Sequence, residues 1–139
     1  MKALMDTCVL IDALSSRGDE YKYAQELMRL ANTKRIELFL SAKSFLDVHY
    51  ILKSLFHDET IVRTHLANLL TCFRLSSVTS IMLSTALSSP MTDYEDAVQQ
   101  EVAIIEGVDF IITRDKAFKN SSQLPCYTAA EAIREYSRV

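Results

Sequence analysis

Short apolar runs alternate along this chain with longer segments whose apolar residues recur at helical spacing, and no other feature constrains the fold as tightly. Lys2 to Met5 is too short for a helix and meets polar Asp6-Thr7 at once, so it reads as a strand. Ile36 to Leu40, Leu75 to Val78 and Val108 to Thr113 read the same way. A helix pair is expected after the first strand, with Tyr23, Leu27, Leu30 and Ala31 at helical spacing before Asn32-Thr33-Lys34 ends it. Ser41 is a fitting N-cap for a further helix, which carries Phe45, Val48, Ile51, Leu52 and Leu55. Another is expected from about Thr60 to Phe73, with Ile61, Leu66, Leu69 and Leu70 inward, and a small one from Ile81 to Leu87, before Pro90. Thr92-Asp93-Tyr94-Glu95 and Thr128-Ala129-Ala130-Glu131 both match the capping box, and Gly107 suits the end of the helix that Thr92 opens. The sum is an α/β domain with a mainly parallel sheet. No linker or repeat divides residues 1–139, so a single domain is expected.

Composition narrows the class. Of 139 residues, 49% are hydrophobic and 24% charged, which excludes a disordered chain and suits one domain that buries its own core. Two glycines are too few for the phosphate-cradling loops of Rossmann and P-loop enzymes. Cys8, Cys72 and Cys126 are odd in number and far apart, and read as buried small hydrophobes in a reducing cytoplasm. Asp6 arrives too early for the apolar core of a signal peptide. The charge-free stretch Leu75 to Thr92 is too rich in Ser and Thr to cross a membrane, so no membrane association is expected.

The chemistry is expected from carboxylates. In open α/β sheets, ligands collect beyond the carboxyl ends of the strands, where strand order reverses. Asp6 follows the first strand directly and Asp115 stands two residues after Thr113. Asp96 in the first turn after Thr92, and Asp47 in the second turn after Ser41, can reach the same rim from helices, and Asp93 shares a face with Asp96. Carboxylates so gathered raise one another's pKa unless a cation offsets them. The fitting cation is a hard divalent ion, Mg²⁺ or Mn²⁺, and such a centre suits phosphodiester hydrolysis.

Three segments carry a resemblance. Leu4-Met5-Asp6-Thr7-Cys8-Val9-Leu10-Ile11-Asp12-Ala13-Leu14, Asp93-Tyr94-Glu95-Asp96-Ala97-Val98-Gln99 and Gly107-Val108-Asp109-Phe110-Ile111-Ile112-Thr113-Arg114-Asp115 resemble, in order and spacing, the motif regions of the PIN-domain nucleases. The resemblance extends over essentially the whole chain. It implies a three-layer α/β/α sandwich around a sheet of four to five strands, a Mg²⁺ or Mn²⁺ site, and cleavage of single-stranded or structured RNA. For a small single-domain member of the prokaryotic toxin type it implies a cognate antitoxin and a homodimer, with the segment Ile81 to Leu87 or the region near Tyr21 as candidate dimer faces. Position by position, Asp6, Asp96 and Asp115 match the family's metal-binding acids, and Thr113 matches a hydroxyl residue that holds a carboxylate or water. The chain departs from the pattern at Asp47, where the family usually has Glu, and at Cys8, where Asn or Ser is frequent.

Each feature also has a plainer reading. Asp6 and Asp93 can serve as helix caps, Asp115 as a turn residue and Asp47 as a solvated helix residue. His49, His57 and His65 lack the spacing of a zinc site, and Cys8 is a poor partner for hard-oxygen chemistry. Tyr21 and Tyr23 read as packing residues, while Arg114, Lys116 and Lys119 are candidates for phosphate contact. A competing function is a PIN-fold module that binds nucleic acid or protein with weak or no nuclease activity, and a deoxyribonuclease stays open. The net charge of −3 is no obstacle to a polyanion: with Asp6, Asp47, Asp96 and Asp115 committed to a cation, 15 basic residues face 18 less 4 acidic ones.

Overall fold

The computed structural model describes residues 1–138. In chain order its elements are β1 (Lys2–Met5), α1 (Thr7–Ser15), α2 (Tyr21–Asn32), β2 (Glu37–Ser41), α3 (Ala42–Phe56), α4 (Glu59–Leu69) and β3 (Phe73–Ser76). There follow α5 (Ser80–Ala86), α6 (Tyr94–Glu106), β4 (Phe110–Ile112), α7 (Lys116–Ser121), β5 (Cys126–Tyr127) and α8 (Ala129–Ser137). The strands form one five-stranded, wholly parallel sheet in the order β3-β2-β1-β4-β5.

Alternation along the central strand divides the core in two. Ala3 and Met5 point to one face, where Leu38, Leu40 and Ile112 join them beneath Val9, Leu27, Val48, Val62 and Leu66. Leu4 points to the other, with Phe39 and Ile111, beneath Met82, Val98, Val102 and Phe118. Helices α1 to α4 and α8 thus cover one face and α5 to α7 the other, giving the expected three-layer α/β/α sandwich. Both faces of the central strands are covered, which explains why they read as unbroken apolar runs. Burying a side chain such as Leu4 or Ile111 stabilises the fold by about 1.5–3 kcal/mol.

The order of the sheet positions the site. From β1 the chain lays down β2 and β3 on one side, then returns to place β4 and β5 on the other, so the reversal falls between β1 and β4. The Asp6 N–H donates to the Ile112 carbonyl at 2.9 Å, so the chain leaves β1 still fastened to the end of β4.

Several local expectations shift. The helix before β3 ends at Leu69, and the third strand starts at Phe73 rather than Leu75. The inward stripe of α4 runs through Val62, Leu66 and Leu69, while Ile61, Leu70 and, on α3, Leu55 are exposed. The Thr92 box does not form. Asp93 caps α6 instead, its carboxylate accepting from the Asp96 N–H at 3.1 Å, so Thr92 falls one residue outside the helix. The second box, Thr128 with Glu131, forms as expected, and Gly107 ends α6 in the left-handed region at φ +68°. The short β5 and α7 had no counterpart in the sequence reading. All three cysteines are free, but only Cys126 is fully buried. Among the described residues, no helix is long and apolar enough to cross a membrane.

Candidate active site

Asp6 leaves β1 in extended conformation and caps α1, its Oδ1 accepting from the Thr7 N–H at 2.9 Å. Its Oδ2 accepts from the Thr113 hydroxyl at 2.8 Å. Thr113 is almost wholly buried, and its oxygen also accepts the Asp115 N–H at 3.1 Å. One hydroxyl therefore fastens two of the expected acids across the strand reversal. Asp115 in turn caps α7, accepting from the N–H groups of Ala117 and Phe118 at 2.9 and 3.4 Å. Both caps are made by Oδ1, and Oδ2 of Asp6 accepts from Thr113 and Cys8.

Asp96 enters from the first turn of α6. Burial, then the charges of Asp93, Asp6, Asp115 and Glu95, push its carboxyl up to about 7. The charges of Asp6 and Asp115, as well as that of neighbouring Asp93, therefore reach Asp96. Among the described residues, however, no three His, Cys, Asp or Glu side chains stand close enough to hold one ion together. The acids crowd one another without closing into a preformed cage.

Asp47 is placed differently. It accepts a hydrogen bond from Lys43 one turn earlier on α3, and Lys43 also reaches Glu95 at 3.3 Å. Burial alone would lower the Lys43 pKa, but Asp47 and Glu95 outweigh it and hold it above the ordinary value. Asp47 therefore has a resident cation that the other acids lack.

Behind the acids lies a polar network that the sequence reading missed. Ser44, fully buried, receives Thr7 Oγ1 at 2.7 Å, Ser41 Oγ at 3.1 Å and Gln99 Nε2 at 2.9 Å. Gln99 Nε2 also lies 3.5 Å from Asp6 Oδ1, while Gln99 Oε1 is buried without a hydrogen-bond partner. The signal was present in helical spacing: Gln99 follows Asp96 by three residues and shares its face, and Ser44 stands three after the Ser41 cap. Lys43 was likewise visible as a Lys four residues before Asp47.

The Cys8 Sγ donates to Asp6 Oδ2 at 3.4 Å, and burial followed by the Asp6 charge pushes the thiol up to about 11. At neutral pH it is therefore a neutral donor to the carboxylate. Of the basic candidates, Arg114 is committed to Asp12 at 2.7 Å and Lys119 lies 3.8 Å from Glu131. Lys116 lines an open cleft of about 730 Å³ with Asp6, Thr7, Cys8, Ile11, Ile51, Arg114 and Asp115. The histidines lie elsewhere: His49 pairs with Glu59, His65 stacks on Phe56 and His57 ends α3.

Comparison with known proteins adds family and fold. A family profile described as PIN domain matches residues 2–117. No curated protein matches the chain. Among solved structures, a chain of VapBC2 from Rickettsia felis, bound to a DNA fragment from its promoter, superposes with a TM-score of 0.69 at 18% identity, covering 92% of this chain and 98% of that one. FitAcB from Neisseria gonorrhoeae gives 0.68 at 16% identity, with 92% and 98% covered. VapC20 from Mycobacterium tuberculosis, described as a toxin that cleaves the sarcin-ricin loop, gives 0.63 at 18%, with 85% and 93% covered. At these identities the likeness is one of fold.

Proposed function

Since the chain belongs to the PIN-domain family, we propose that it is a metal-dependent endoribonuclease that hydrolyses phosphodiester bonds of single-stranded RNA, and that it is the toxin of a toxin–antitoxin pair. The observation that carries this reading is the crowding of Asp96 by Asp6, Asp93 and Asp115 at the strand reversal, with carboxyl charge left uncompensated. The donor set fits Mg²⁺ or Mn²⁺: it is all hard oxygen, and the one nearby sulfur is held as a neutral thiol. Mg²⁺ usually keeps several of its waters, so acids that do not close into a cage can hold it partly through those waters.

Asp6, Asp96 and Asp115 would hold the ion, and Thr113 is a positioning residue that fixes Asp6 and the backbone before Asp115. When bound, the ion lowers the pKa of a water and offsets charge on the phosphate oxygens. The chain supplies the orientation. Asp6 is fixed by its own cap bond and by Thr113, so its carboxylate needs little rearrangement to receive a cation. Lys116 on the cleft is placed to meet a phosphate of the strand, and Arg114 is held by Asp12 at its rim.

The partners follow from the same reading. The structural neighbours include a toxin-antitoxin complex from Klebsiella pneumoniae, which supports an antitoxin partner. Exposed Ile81, Leu83 and Leu87 on and just after α5, with Tyr94 and Ile105 on α6, support a homodimer face there. The setting is the cytoplasm.

The test is incubation of end-labelled single-stranded RNA, and of DNA of the same sequence, with protein plus Mn²⁺ and with protein plus chelator. RNA cleavage that needs the ion is expected. Cleavage of DNA alone would make the protein a deoxyribonuclease. Retention of RNA without cleavage would favour a binding module, a reading to which the hold of Lys43 on Asp47 lends support.

A further inference from the structure

Three positions on α3 define one stripe. Ser44 touches Thr7 and Gln99 beside Asp6, and Ile51, two turns on, lines the cleft. Asp47 lies between them at helical spacing, so it occupies the site-facing side of α3. Yet the group that meets it is not an open rim but the Lys43 ammonium, which spans to Glu95, the neighbour of Asp96. An i,i+4 pair on a solvated helix contributes little. Lys43 is different in two respects: about two thirds of its side chain is buried, and it joins the first turns of two helices that supply the acids.

We propose that Lys43 is the resident cation of the acid site, taking Asp47 as its counter-ion, so that the divalent ion is left to Asp6, Asp96 and Asp115. This rests on the metal reading given above. The fourth carboxylate then does not ligate; it neutralises an ammonium that fills the place where a second divalent ion would otherwise be attracted. The shorter side chain of aspartate fits this role, since it meets a lysine one turn away on its own helix.

The test is calorimetric titration with Mn²⁺ alone of the wild-type chain, Lys43→Met, Lys43→Arg and the double variant Lys43→Met with Asp47→Asn. Thermal melting confirms that each is folded, and Met keeps the packing of the lysine stem. Loss of a positive charge beside the site should tighten Mn²⁺ binding by about tenfold or more in Lys43→Met. Lys43→Arg should bind like the wild type, and the double variant should return to within about threefold of it, as charges that cancel require. Binding by Lys43→Met no tighter than wild type overturns the proposal and leaves the metal reading standing. So does a double variant about a hundredfold weaker than wild type, the cost expected when a ligand is lost. A wild-type chain that takes up no Mn²⁺ overturns both.

Discussion

Two carboxylates in this molecule stand in opposite company. At the corner of α3 and α4, Glu59 accepts from Lys53 at 2.9 Å, His49 at 3.0 Å and Arg63 at 3.1 Å, and these partners hold its pKa down to about 2. At the strand reversal, burial first and then the charges of Asp93, Asp6, Asp115 and Glu95 push Asp96 up to about 7. The first cluster is complete in itself, an exposed brace between helices. The second carries like charges with no such set of basic partners, and on the proposed reading a cation from outside would complete it.

Short of altering an acid itself, the contrast is broken most severely by removing what orients the acids. Thr113→Val deletes the hydroxyl that Asp6 and the Asp115 N–H share, leaving a part-buried donor unmet. Mn²⁺ affinity and RNA cleavage should both fall about 10–100-fold. The fold should lose about 1–3 kcal/mol in denaturant titration. Thr113→Ser, which keeps the oxygen, should recover most of the loss in both.

A smaller effect concerns pH. The folded pKa of Asp96 is raised, so its contribution to stability is full below the ordinary carboxylate value and is lost as pH rises through about 7. Metal-free protein should therefore lose stability between about pH 4 and pH 7, by on the order of 1 kcal/mol once solvent screening is discounted. Asp96→Asn should flatten that slope in melting curves, and Mn²⁺ should restore the wild-type Tm at neutral pH. A slope unchanged in Asp96→Asn would show that the crowding is not felt.

The smallest effect belongs to the brace. Glu59 has a lowered pKa, so its contribution is present above the ordinary glutamate value and is lost as pH falls through about 2. Glu59→Gln should lower Tm slightly at neutral pH and leave RNA cleavage unchanged. Loss of cleavage in that variant would erase the distinction between the two clusters.

What the sequence made legible follows from range. Asp6, Thr113 and Asp115 are fixed by strand ends and helix starts, which leave short-range marks: an apolar run, then a polar step, then a cap. The α/β rhythm gave the sheet for the same reason. Misreadings arose where two local signals competed. Thr92 and Asp93 both can cap, and the aspartate won, shifting the helix start by one residue. The third strand could not be distinguished from the end of the helix before it, because Leu70 and Phe73 both suit either element, and only packing decided that Phe73 is buried while Leu70 is exposed. The two residues of β5 are too few to leave any period. Ser44 and Gln99 had the right spacing, but their burial depends on α3 and α6, from opposite faces of the sheet, meeting past the end of β1, a long-range fact that no local pattern carries.

The central claim is that the acids at the strand reversal bind a divalent ion and with it cut RNA. Its most direct test sets wild type against Asp6→Asn, which keeps an oxygen to cap α1, in one single-stranded RNA assay with Mn²⁺ and with chelator. The account predicts cleavage by wild type with Mn²⁺, none with chelator, and a loss of about two to three orders of magnitude in a folded Asp6→Asn. Wild-type cleavage that survives the chelator, or full activity in Asp6→Asn, would contradict it.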